Sequence, residues 1–503
     1  EGQLGNNGAS NSVSPVTVLV NASTALTNAR GLTATYHSGA TNTVIIGNFI
    51  GTDLTGALAI PNNGDGVLIN QSASSTFVGT GNPGEGNLIS GNDGAGVAIE
   101  SGAFGNAVFG NLIGGAGALG NFIGVQIIDA DKNQIGESLA SRRNLISGNA
   151  FAGIVIQGSS ALENSVQNNL IGTDLLGTTA IPNDYGILID SGAHDNVIGG
   201  EFSSQGNLIS GNTTDGILIA NGSSFNIIQN NLIGTTITGF AALANQSYGI
   251  RVDDSADNLI GASTDSGVRG NVISGNTTAG IKLNGPLATR NVIQGNLIGV
   301  SLDAETAIPN EGPGVSILDS GGNFIGTSDI FGGNVISGNL GEGVLIEGAA
   351  STANILIANR IGLTGDGLFA LPNGAAGVQI FDAPGTVIGG ASTSERNVIS
   401  GNNGAGIDIN GASASGTQIG NIIALDALGF TAVPNAHGIV IDRAPNTVIG
   451  GAGGSAGNVL SGHGLVGGVG IAVKGATAIG TTILGNFIGT NATGSQVFPN
   501  LHG

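Results

Sequence analysis

The sequence predicts an all-β fold: a single-stranded parallel β-helix solenoid of about 15 or more coils. Two observations support this prediction. A motif with the elements NxISGN, GIxI and NxIGG recurs along the chain, and its apolar segments are short, rich in Ile and Val, and bounded by Gly, Asn and Ser. Segments of this kind are typical of strands. The 93 glycines stand at fixed positions of the repeat among β-branched residues, which argues against a disordered or collagen-like chain.

One asparagine opens each NxI element and marks one coil of the predicted solenoid. Spacings of 24 to 28 residues between successive asparagines alternate with spacings of 33 to 40 residues, so short coils alternate with long coils. Three apolar segments per coil predict three strands, each paired with its counterpart in the next coil. The marker asparagines are Asn48, Asn87, Asn111, Asn144, Asn169, Asn207, Asn231, Asn271, Asn296, Asn334, Asn359, Asn397, Asn421, Asn458 and Asn486.

Equivalent residues of successive coils stack in columns, and one nearly pure isoleucine column predicts the core. Its members are Ile50, Ile89, Ile113, Ile146, Ile171, Ile209, Ile233, Ile273, Ile298, Ile336, Ile361, Ile399, Ile423, Leu460 and Ile488. Asparagines of the SGN turns stand at the coil corners, where their side chains are expected to hydrogen-bond to the coils above and below. These asparagines are Asn92, Asn149, Asn212, Asn276, Asn339 and Asn402.

The long coils carry an insert of eleven residues that starts four residues after the marker asparagine. Its constant length and its usual ending, Ala-Ile-Pro-Asn, predict a folded flap. The coil that starts at Asn111 lacks most of the insert, which predicts a notch. Residues 1–40 depart from the repeat and are expected to form one or more atypical N-terminal coils, ahead of the repeats of residues 41–503. The inserts are residues 52–62, 173–183, 235–245, 300–310, 363–373, 425–435 and 490–500.

From about residue 42 to residue 503, this pattern resembles the right-handed parallel β-helix repeats of the pectin-lyase-like superfamily, in particular the Gly- and Asn-rich repeats of secreted or surface-attached bacterial proteins. The resemblance implies a right-handed solenoid. It implies little about activity, because that superfamily includes lyases, hydrolases, epimerases, phage tailspikes and non-enzymatic adhesins.

Composition limits the location and the partners of the chain. With 12 Lys and Arg against 33 Asp and Glu, the formal net charge is −21, which repels nucleic acids, anionic lipids and acidic polysaccharides. No apolar run approaches the ~20 residues of a membrane-spanning helix, so we expect no membrane insertion. The chain has no Cys, starts at Glu1 and contains no Met, which we interpret as a mature, exported chain located outside the cell or on its surface.

The strand of the GIxI element also occurs as GVxI, with Val in place of the first Ile, and is called the GVxI strand below. One outward column just after this strand is rich in acids. The ordinary interpretation is that each Asp caps the turn that follows it. A second interpretation applies to Asp319, Glu347 and Asp382, three acids in consecutive coils, because carboxylates and backbone carbonyls are the ligands that Ca²⁺ prefers. We therefore name these three residues as a candidate calcium site and expect no other cofactor.

A second outward column lies between the two inward residues of the GVxI strand, and it is mostly apolar. An exposed apolar stripe is typical of a partner surface, and the alternative is that the flaps fold over it. The apolar members that we name as a candidate interface are Leu68, Val155, Leu188, Leu218, Leu345 and Val440.

The cations are scattered, and the nearest approach to a cluster is Arg251 and Lys282, on this column in adjacent coils. Beside Asp253 and Asp254, surface ion pairs explain them better than the cation site of a polyuronate lyase. Aromatic residues that stack on sugars are also few, with no Trp and three Tyr. We therefore assign no catalytic residue, and a polysaccharide-active lyase, hydrolase or epimerase is the alternative function.

The repeat stops within a coil at Phe498, Pro499 and Asn500, and the segment with Val16, Val18 and Val20 has the pattern of the strand expected next. These residues predict that subunits join head to tail into a fibre. The alternative is that the chain is a fragment of a longer surface adhesin. The first function predicted is an extracellular structural or adhesive solenoid, with further copies of itself or cell-surface and matrix components as partners.

Overall fold

In the computed structural model, the described residues are 40–115, 119–262, 270–329, 331–451, 457–466 and 468–503. The chain divides into two compact units, Glu1–Leu232 and Ile233–Gly503. The described part of each unit is a parallel β-solenoid with three strands per coil, which confirms the predicted fold class. These residues contain 15 strands of each of the first two kinds and 14 of the third, or about 14 complete turns. No helix among them is long and apolar enough to cross a membrane.

The first unit contributes short strands to each of three sheets. Sheet 1 contains Val44–Ile45, Phe77–Val78, Ala107–Val108, Gln134–Ile135, Ser165–Val166, Val197–Gly199 and Ile227–Gln229. Sheet 2 contains Phe49–Ile50, Leu88–Ile89, Leu112–Gly114, Leu145–Ser147, Leu170–Ile171 and Leu208–Ile209, and the strand Leu232–Ile233 falls at the division between the units. Sheet 3 contains Val67–Ile69, Ala95–Glu100, Ile123–Ile128, Ala152–Gln157, Tyr185–Asp190 and Ile217–Ile219.

The second unit repeats the same three strands per coil. Sheet 1 contains Leu259–Gly261, Val292–Gln294, Phe324–Ile325, Ile355–Leu356, Val387–Gly389, Gln418–Gly420, Val448–Gly450 and Thr482–Leu484. Sheet 2 contains Val272–Ile273, Leu297–Ile298, Val335–Ile336, Arg360–Ile361, Val398–Ile399, Ile422–Ile423, Val459–Leu460 and Phe487–Ile488. Sheet 3 contains Ile250–Asp253, Ile281–Asn284, Val315–Leu318, Val344–Glu347, Val378–Phe381, Ala405–Asn410, His437–Asp442 and Ile471–Lys474. The described helices are short 3₁₀ turns at Ala140–Arg142, Ser203–Gln205, Thr393–Glu395 and His463–Val466.

The core of each unit consists of inward-pointing Ile, Leu and Val side chains from the three sheets. In sheet 2, Ile50 pairs with Ile89 and Ile89 with Ile113, in the register expected for the isoleucine column. From Ile50 to Leu460, every member of that column is at most 2% exposed. Full burial of one such side chain stabilises the fold by about 1.5–3 kcal/mol, so the column is a major contribution to folding.

Buried asparagines stack at the corners of the coils and hydrogen-bond to one another, as predicted. The Nδ2 of Asn334 donates to Oδ1 of Asn359 and to the carbonyl of Ile293, both at 2.8 Å. Its Oδ1 accepts from the backbone N–H and from Nδ2 of Asn296, both at 3.0 Å. The marker asparagines form this ladder between sheets 1 and 2. A second ladder, between sheets 2 and 3, contains Asn62, Asn92, Asn121, Asn149, Asn183 and Asn212 in the first unit and Asn245, Asn276, Asn310, Asn339, Asn373, Asn402 and Asn435 in the second.

A third asparagine ladder, at the corner between sheets 3 and 1, was not predicted. Its members are Asn106, Asn133, Asn164, Asn196 and Asn226 in the first unit and Asn258, Asn291, Asn323 and Asn354 in the second. Threonine stands at this corner at Thr76, Thr386, Thr417 and Thr447, where the buried hydroxyl has no hydrogen-bond partner in the described structure. Threonine fills the corner, but its side chain is too short to reach the next coil.

His463 occupies an asparagine position of the second ladder and is fully buried. Its Nδ1 lies 2.9 Å from Oδ1 of Asn500. Because the Nδ2 of Asn500 donates to the carbonyl of Leu460, that Oδ1 is the acceptor and the proton belongs on Nδ1 of His463. Nε2 has no partner among the described residues. Burial lowers the pKa of His463, against the opposing effect of the Asn500 hydrogen bond and with a further lowering from His437.

The eleven-residue inserts are folded flaps, as predicted. Each closes with an antiparallel bridge, for example between Thr52 and Ala59. Asp53 caps the first flap by accepting from the backbone N–H groups of Ala57 (3.0 Å) and Leu58 (3.1 Å). The flaps lie on the outer surface of sheet 2, where Gly56 is so close to Leu88 that a Cβ at Gly56 would lie 2.6 Å from Leu88 Cδ2.

Where a flap-bearing coil follows a plain coil, a serine of the plain coil hydrogen-bonds to the start of the flap. Ser147 Oγ donates to the Thr173 carbonyl (2.8 Å) and accepts from the Gly172 N–H (3.1 Å). Ser337 Oγ bonds in the same way to the Leu363 carbonyl (2.8 Å). These hydrogen bonds between coils therefore depend on the alternation of plain and flap-bearing coils.

We predict that Asn334→Ala destabilises the protein more than an exposed asparagine substitution does. The change leaves the buried donors of Asn296 and the carbonyl of Ile293 without their partner, which costs about 2–4 kcal/mol in the free energy of unfolding. Urea unfolding followed by circular dichroism measures the loss. Asn403→Ala, at an exposed position, is the control and should change stability by less than about 0.5 kcal/mol. Equal effects of the two substitutions would contradict a stabilising role for the ladder.

We also predict that His463→Asn reduces the loss of stability at acidic pH. Since burial places the pKa of folded His463 below its ordinary value of 6.5, the unfolded chain takes up the proton first as the pH falls. Protonation of His463 therefore has no effect on the free energy of unfolding well above pH 6.5, and it lowers that free energy as the pH falls below 6.5. Urea midpoints at about pH 7.5 and about pH 5 should differ less in His463→Asn than in the wild type. A matching change in the exposed variant His502→Asn would show that His463 is not the cause.

Candidate functional site

The outer face of sheet 3 carries the mostly apolar column, in the register that the sequence predicts. In the first unit, Val155 pairs with Leu188 and Leu188 with Leu218. In the second unit, Ser316 pairs with Leu345, and Asp408 with Val440. The column is not a fully exposed stripe, because Val155 and Leu218 are buried and Leu68, Leu188, Leu345 and Val440 are half-buried. The flaps do not cover it, since they lie on sheet 2.

In the first unit, side chains of this same face cover the column. Small residues line the sheet, and larger half-buried residues pack over them. The small and medium residues are Ala95, Ala98, Ile123, Ala152 and Val155, and the residues above them are Leu68, Phe151, Tyr185 and Leu188. The result is an apolar layer outside the solenoid core, with part of its upper surface open to solvent.

Three aromatic side chains form a continuous row at one edge of this layer. The rings of Phe122 and Phe151 are stacked, with centroids 5.6 Å apart and planes at 13°. Tyr185 meets Phe151 edge-on at 5.7 Å. Phe122 is 52% exposed. We call Phe122, Phe151 and Tyr185 the aromatic platform.

Coil stacking creates the platform from residues that are far apart in the sequence. The Phe151 N–H donates to the Phe122 carbonyl, and the Tyr185 N–H donates to the Phe151 carbonyl, both at 2.8 Å. This site was not predicted from the sequence. The sequence does contain a signal for it. Phe122 and Phe151 each stand two residues before the glycine of a GVxI strand, and Tyr185 stands one residue before the equivalent glycine.

Polar side chains border the apolar layer on the same face. Burial, and then the nearby charge of Asp65, raise the pKa of Glu100. Gln157 pairs in register with Asp190 in the next coil, and Gln126 lies half-buried between Ala98 and Val155. The border therefore offers carboxyl and amide groups that both accept and donate hydrogen bonds.

In the second unit, the same face carries Arg251 and Lys282 in adjacent coils, as predicted. Arg251 forms an ion pair with Asp253 (3.2 Å) and lies over the ring of Tyr248, 5.9 Å from its centroid. The Lys282 ammonium donates to Ser316 Oγ (3.0 Å). Burial lowers the pKa of Lys282, and the charges of Glu347, Asp253 and Asp319 oppose that change. The expected ion pairing is confirmed for Arg251.

The prediction that Asp319, Glu347 and Asp382 occupy one column is wrong for the two aspartates. Leu318 pairs with Glu347, and Glu347 pairs with Phe381, so each aspartate lies one residue beyond the column. Both aspartates adopt left-handed turn conformations, with φ of 49° and 52°. No group of three or more His, Cys, Asp or Glu in the described part of the chain is placed to hold a metal ion. The physical reason is that Leu318 and Phe381 occupy the last position of their strands, so the aspartates fall in the turns that follow.

Of the residues named for head-to-tail joining, three lie outside the described part of the chain and three lie within it. Val16, Val18 and Val20 lie outside the described residues. Asn500 belongs to the second ladder through His463. Phe498 and Pro499 use their backbone groups within the solenoid, where the carbonyls accept from Gly462 (3.0 Å) and Gly464 (2.8 Å).

No protein-family model and no curated protein matches the chain. Among solved structures, the chain is similar to the periplasmic alginate epimerase AlgG, with 12% identity, a TM-score of 0.33 and coverage of 85% of this chain and 77% of that chain. It is also similar to the A-module of the Azotobacter vinelandii mannuronan C-5 epimerase AlgE4, with 14% identity, a TM-score of 0.34 and coverage of 87% and 90%. A third is the Dettilon tailspike protein, with 14% identity, a TM-score of 0.34 and coverage of 72% and 60%. At these identities the similarity concerns the fold, a parallel β-solenoid.

Proposed function

We propose that this chain is an extracellular adhesive β-solenoid that binds an extended, uncharged polysaccharide on the outer face of sheet 3 in the first unit. The aromatic platform is the observation that carries this proposal. The half-exposed Phe122, backed by Phe151 and Tyr185, presents an apolar surface against which the apolar face of a sugar ring can pack, while polar groups beside it bind the sugar hydroxyls. Phe122, Phe151 and Tyr185 follow one another along the stack of coils, so the polymer runs across the coils and contacts successive rings.

The charge of the chain selects an uncharged polymer over an acidic one. Acids outnumber cations by 33 to 12. Two acids lie at the same end of the sheet 3 strands as the platform: Asp184 directly precedes Tyr185, and Asp65 Oδ1 accepts from the Ala95 N–H (2.7 Å). A uronic acid or sulfated sugar meets repulsion there, whereas sugar hydroxyls donate to carboxylates and amides. A platform that contacts several sugar units suits retention of a polymer, which is the role of an adhesin.

A polysaccharide-active enzyme is the second candidate, and Lys282 is the observation that favours it. A half-buried lysine of lowered pKa is a suitable general base. Against this function, Arg251 beside it is paired with Asp253, so the cation charge available for an acidic substrate is small. Adhesion without turnover therefore remains the first proposal.

Phe122→Ala should weaken polysaccharide binding by about tenfold, because the ring is half-exposed and its loss removes one end of the platform. Affinity electrophoresis and titration calorimetry with a panel of neutral and acidic polysaccharides measure the effect. Phe324→Ala is the matched control, since Phe324 is 36% exposed on the outer face of sheet 1. Tighter binding of acidic than neutral polymers, or an unchanged affinity in Phe122→Ala, would contradict the proposal.

The adhesive function also predicts no release of reducing ends or unsaturated sugars when the protein is incubated with the same polysaccharides. Colorimetric reducing-end assays and ultraviolet absorbance test this directly. Turnover that disappears in Lys282→Ala and persists in Lys132→Ala, at an exposed lysine, would replace the adhesive proposal with the enzyme.

A further inference from the structure

The three lysines of the chain have different surroundings. The side chains of Lys132 and Lys474 are 57% and 61% exposed, and each forms an ion pair, Lys132 with Asp131 (3.2 Å) and Lys474 with Asp442 (3.7 Å). Lys282 is half-buried on the outer face of sheet 3 in the second unit, and it forms no ion pair with a carboxylate of the described residues. Lys282 is therefore the lysine whose positive charge is least compensated at contact distance.

The neighbouring coils hold the Lys282 amine in one place. Lys282 pairs in register with Arg251 of the coil before and with Ser316 of the coil after. Its Nζ donates to Ser316 Oγ at 3.0 Å, and Ser316 itself is buried. Arg251 forms its own ion pair with Asp253 (3.2 Å). A hydroxyl group, and not a carboxylate, therefore holds the amine of Lys282.

The surroundings also affect how readily each amine loses its proton. Burial lowers the pKa of Lys282, and the charges of Glu347, Asp253 and Asp319 oppose that change without reversing it. The pKa of Lys132 is raised instead, first by its hydrogen bond to Asp131. At any one pH, a larger share of Lys282 than of Lys132 is therefore neutral, and the neutral amine is the nucleophilic form of a lysine.

We propose that Lys282 is a covalent binding site for a neutral aldehyde and that Ser316 is the residue that positions its amine. The neutral Nζ adds to the carbonyl carbon, so that a C–N bond forms and one Nζ proton moves to the carbonyl oxygen. The resulting carbinolamine loses its hydroxyl group together with the second Nζ proton as water, which leaves an imine. The reaction needs no oxidant or reductant, and water reverses it.

The acids around Lys282 select the charge of the aldehyde. Asp253, Asp319 and Glu347 all act on the Lys282 ammonium through their charges, and the chain as a whole has a net charge of −21. An anionic aldehyde is repelled by these carboxylates, whereas a neutral one is not. This site lies in the second unit, so its chemistry does not depend on polysaccharide binding by the aromatic platform of the first.

Labelling of the intact protein with glycolaldehyde and cyanoborohydride, followed by peptide mass spectrometry, measures the reaction rate at each lysine. At about pH 7, Lys282 should be labelled about tenfold faster than Lys132 and Lys474. Its rate should also reach a plateau at a lower pH than that of Lys132. In concentrated urea the three lysines should react at similar rates, because the fold creates the difference. Similar rates in the folded protein would overturn the site.

Two variants test the role of Ser316 at the high-pH plateau, where the amine is fully neutral and a change of its pKa has no effect on the rate. Ser316→Ala should slow the labelling of Lys282 about fivefold, the effect of one hydrogen bond, and Ser316→Thr should restore it. The rates at Lys132 and Lys474 should stay unchanged in both variants, and circular dichroism checks that the fold is retained. An unchanged plateau at Lys282 in Ser316→Ala would overturn the positioning role.

Glyoxylate, an anionic aldehyde of similar size, tests the selection by charge. The preference for Lys282 over Lys474 should be smaller with glyoxylate than with glycolaldehyde, because three acids act on Lys282. An equal or larger preference with glyoxylate would overturn the assignment of a neutral aldehyde.

Discussion

The rest of the structure depends on the buried asparagine ladders. Each amide donates to the asparagine of the next coil and to a backbone carbonyl, and its oxygen accepts from the coil before. A coil that shifts by one residue leaves several of these buried groups unpaired, at about 1–3 kcal/mol each. The ladders therefore hold each coil in one register. The inward-pointing Ile, Leu and Val side chains of the three sheets supply most of the burial, and the asparagines decide which residues lie above one another.

Because the asparagines at the corners fix the register of the coils, they also determine which outward side chains lie next to one another. Once the strands of sheet 3 are aligned, the outward residues of successive coils are about 4.8 Å apart, whatever their chemistry. In the first unit this spacing brings Phe122 and Phe151 into stacking contact. In the second unit it places Lys282 beside Ser316. A chain whose repeats are nearly identical inside can therefore have different binding properties on its two units, through substitutions at outward positions alone.

Most of the interior could be predicted from the sequence, because identical residues recur at every coil and only one stacking arrangement buries them all. The asparagine ladder between sheets 3 and 1 was the part not predicted. For the outer face of sheet 3, the sequence predicts which residues point outward and how they follow one another, but it does not predict how exposed each side chain is. Alternation shows that Val155 points outward, but not that Leu188 and Phe151 pack against the same layer. The acid column failed for a related reason: the three strands are equally long, but Leu318 and Phe381 occupy the last strand position that Glu347 holds in the coil between them, so Asp319 and Asp382 fall one residue later. The platform was missed because its three rings lie 29 and 34 residues apart in the chain.

The acids themselves show how structure limits the function available to this surface. Asp382 Oδ1 accepts from the Ser413 N–H (3.0 Å) and Asp254 Oδ1 from the Leu287 N–H (3.2 Å), so each holds the turn of the following coil. Asp174 does the same inside a flap, and its hydrogen bonds to Thr178 lower its pKa. These carboxyl groups serve as the acceptors that the turns need. Together with the excess of acids over cations, they give the chain its net charge of −21, which is the reason that we propose an uncharged polymer as its partner.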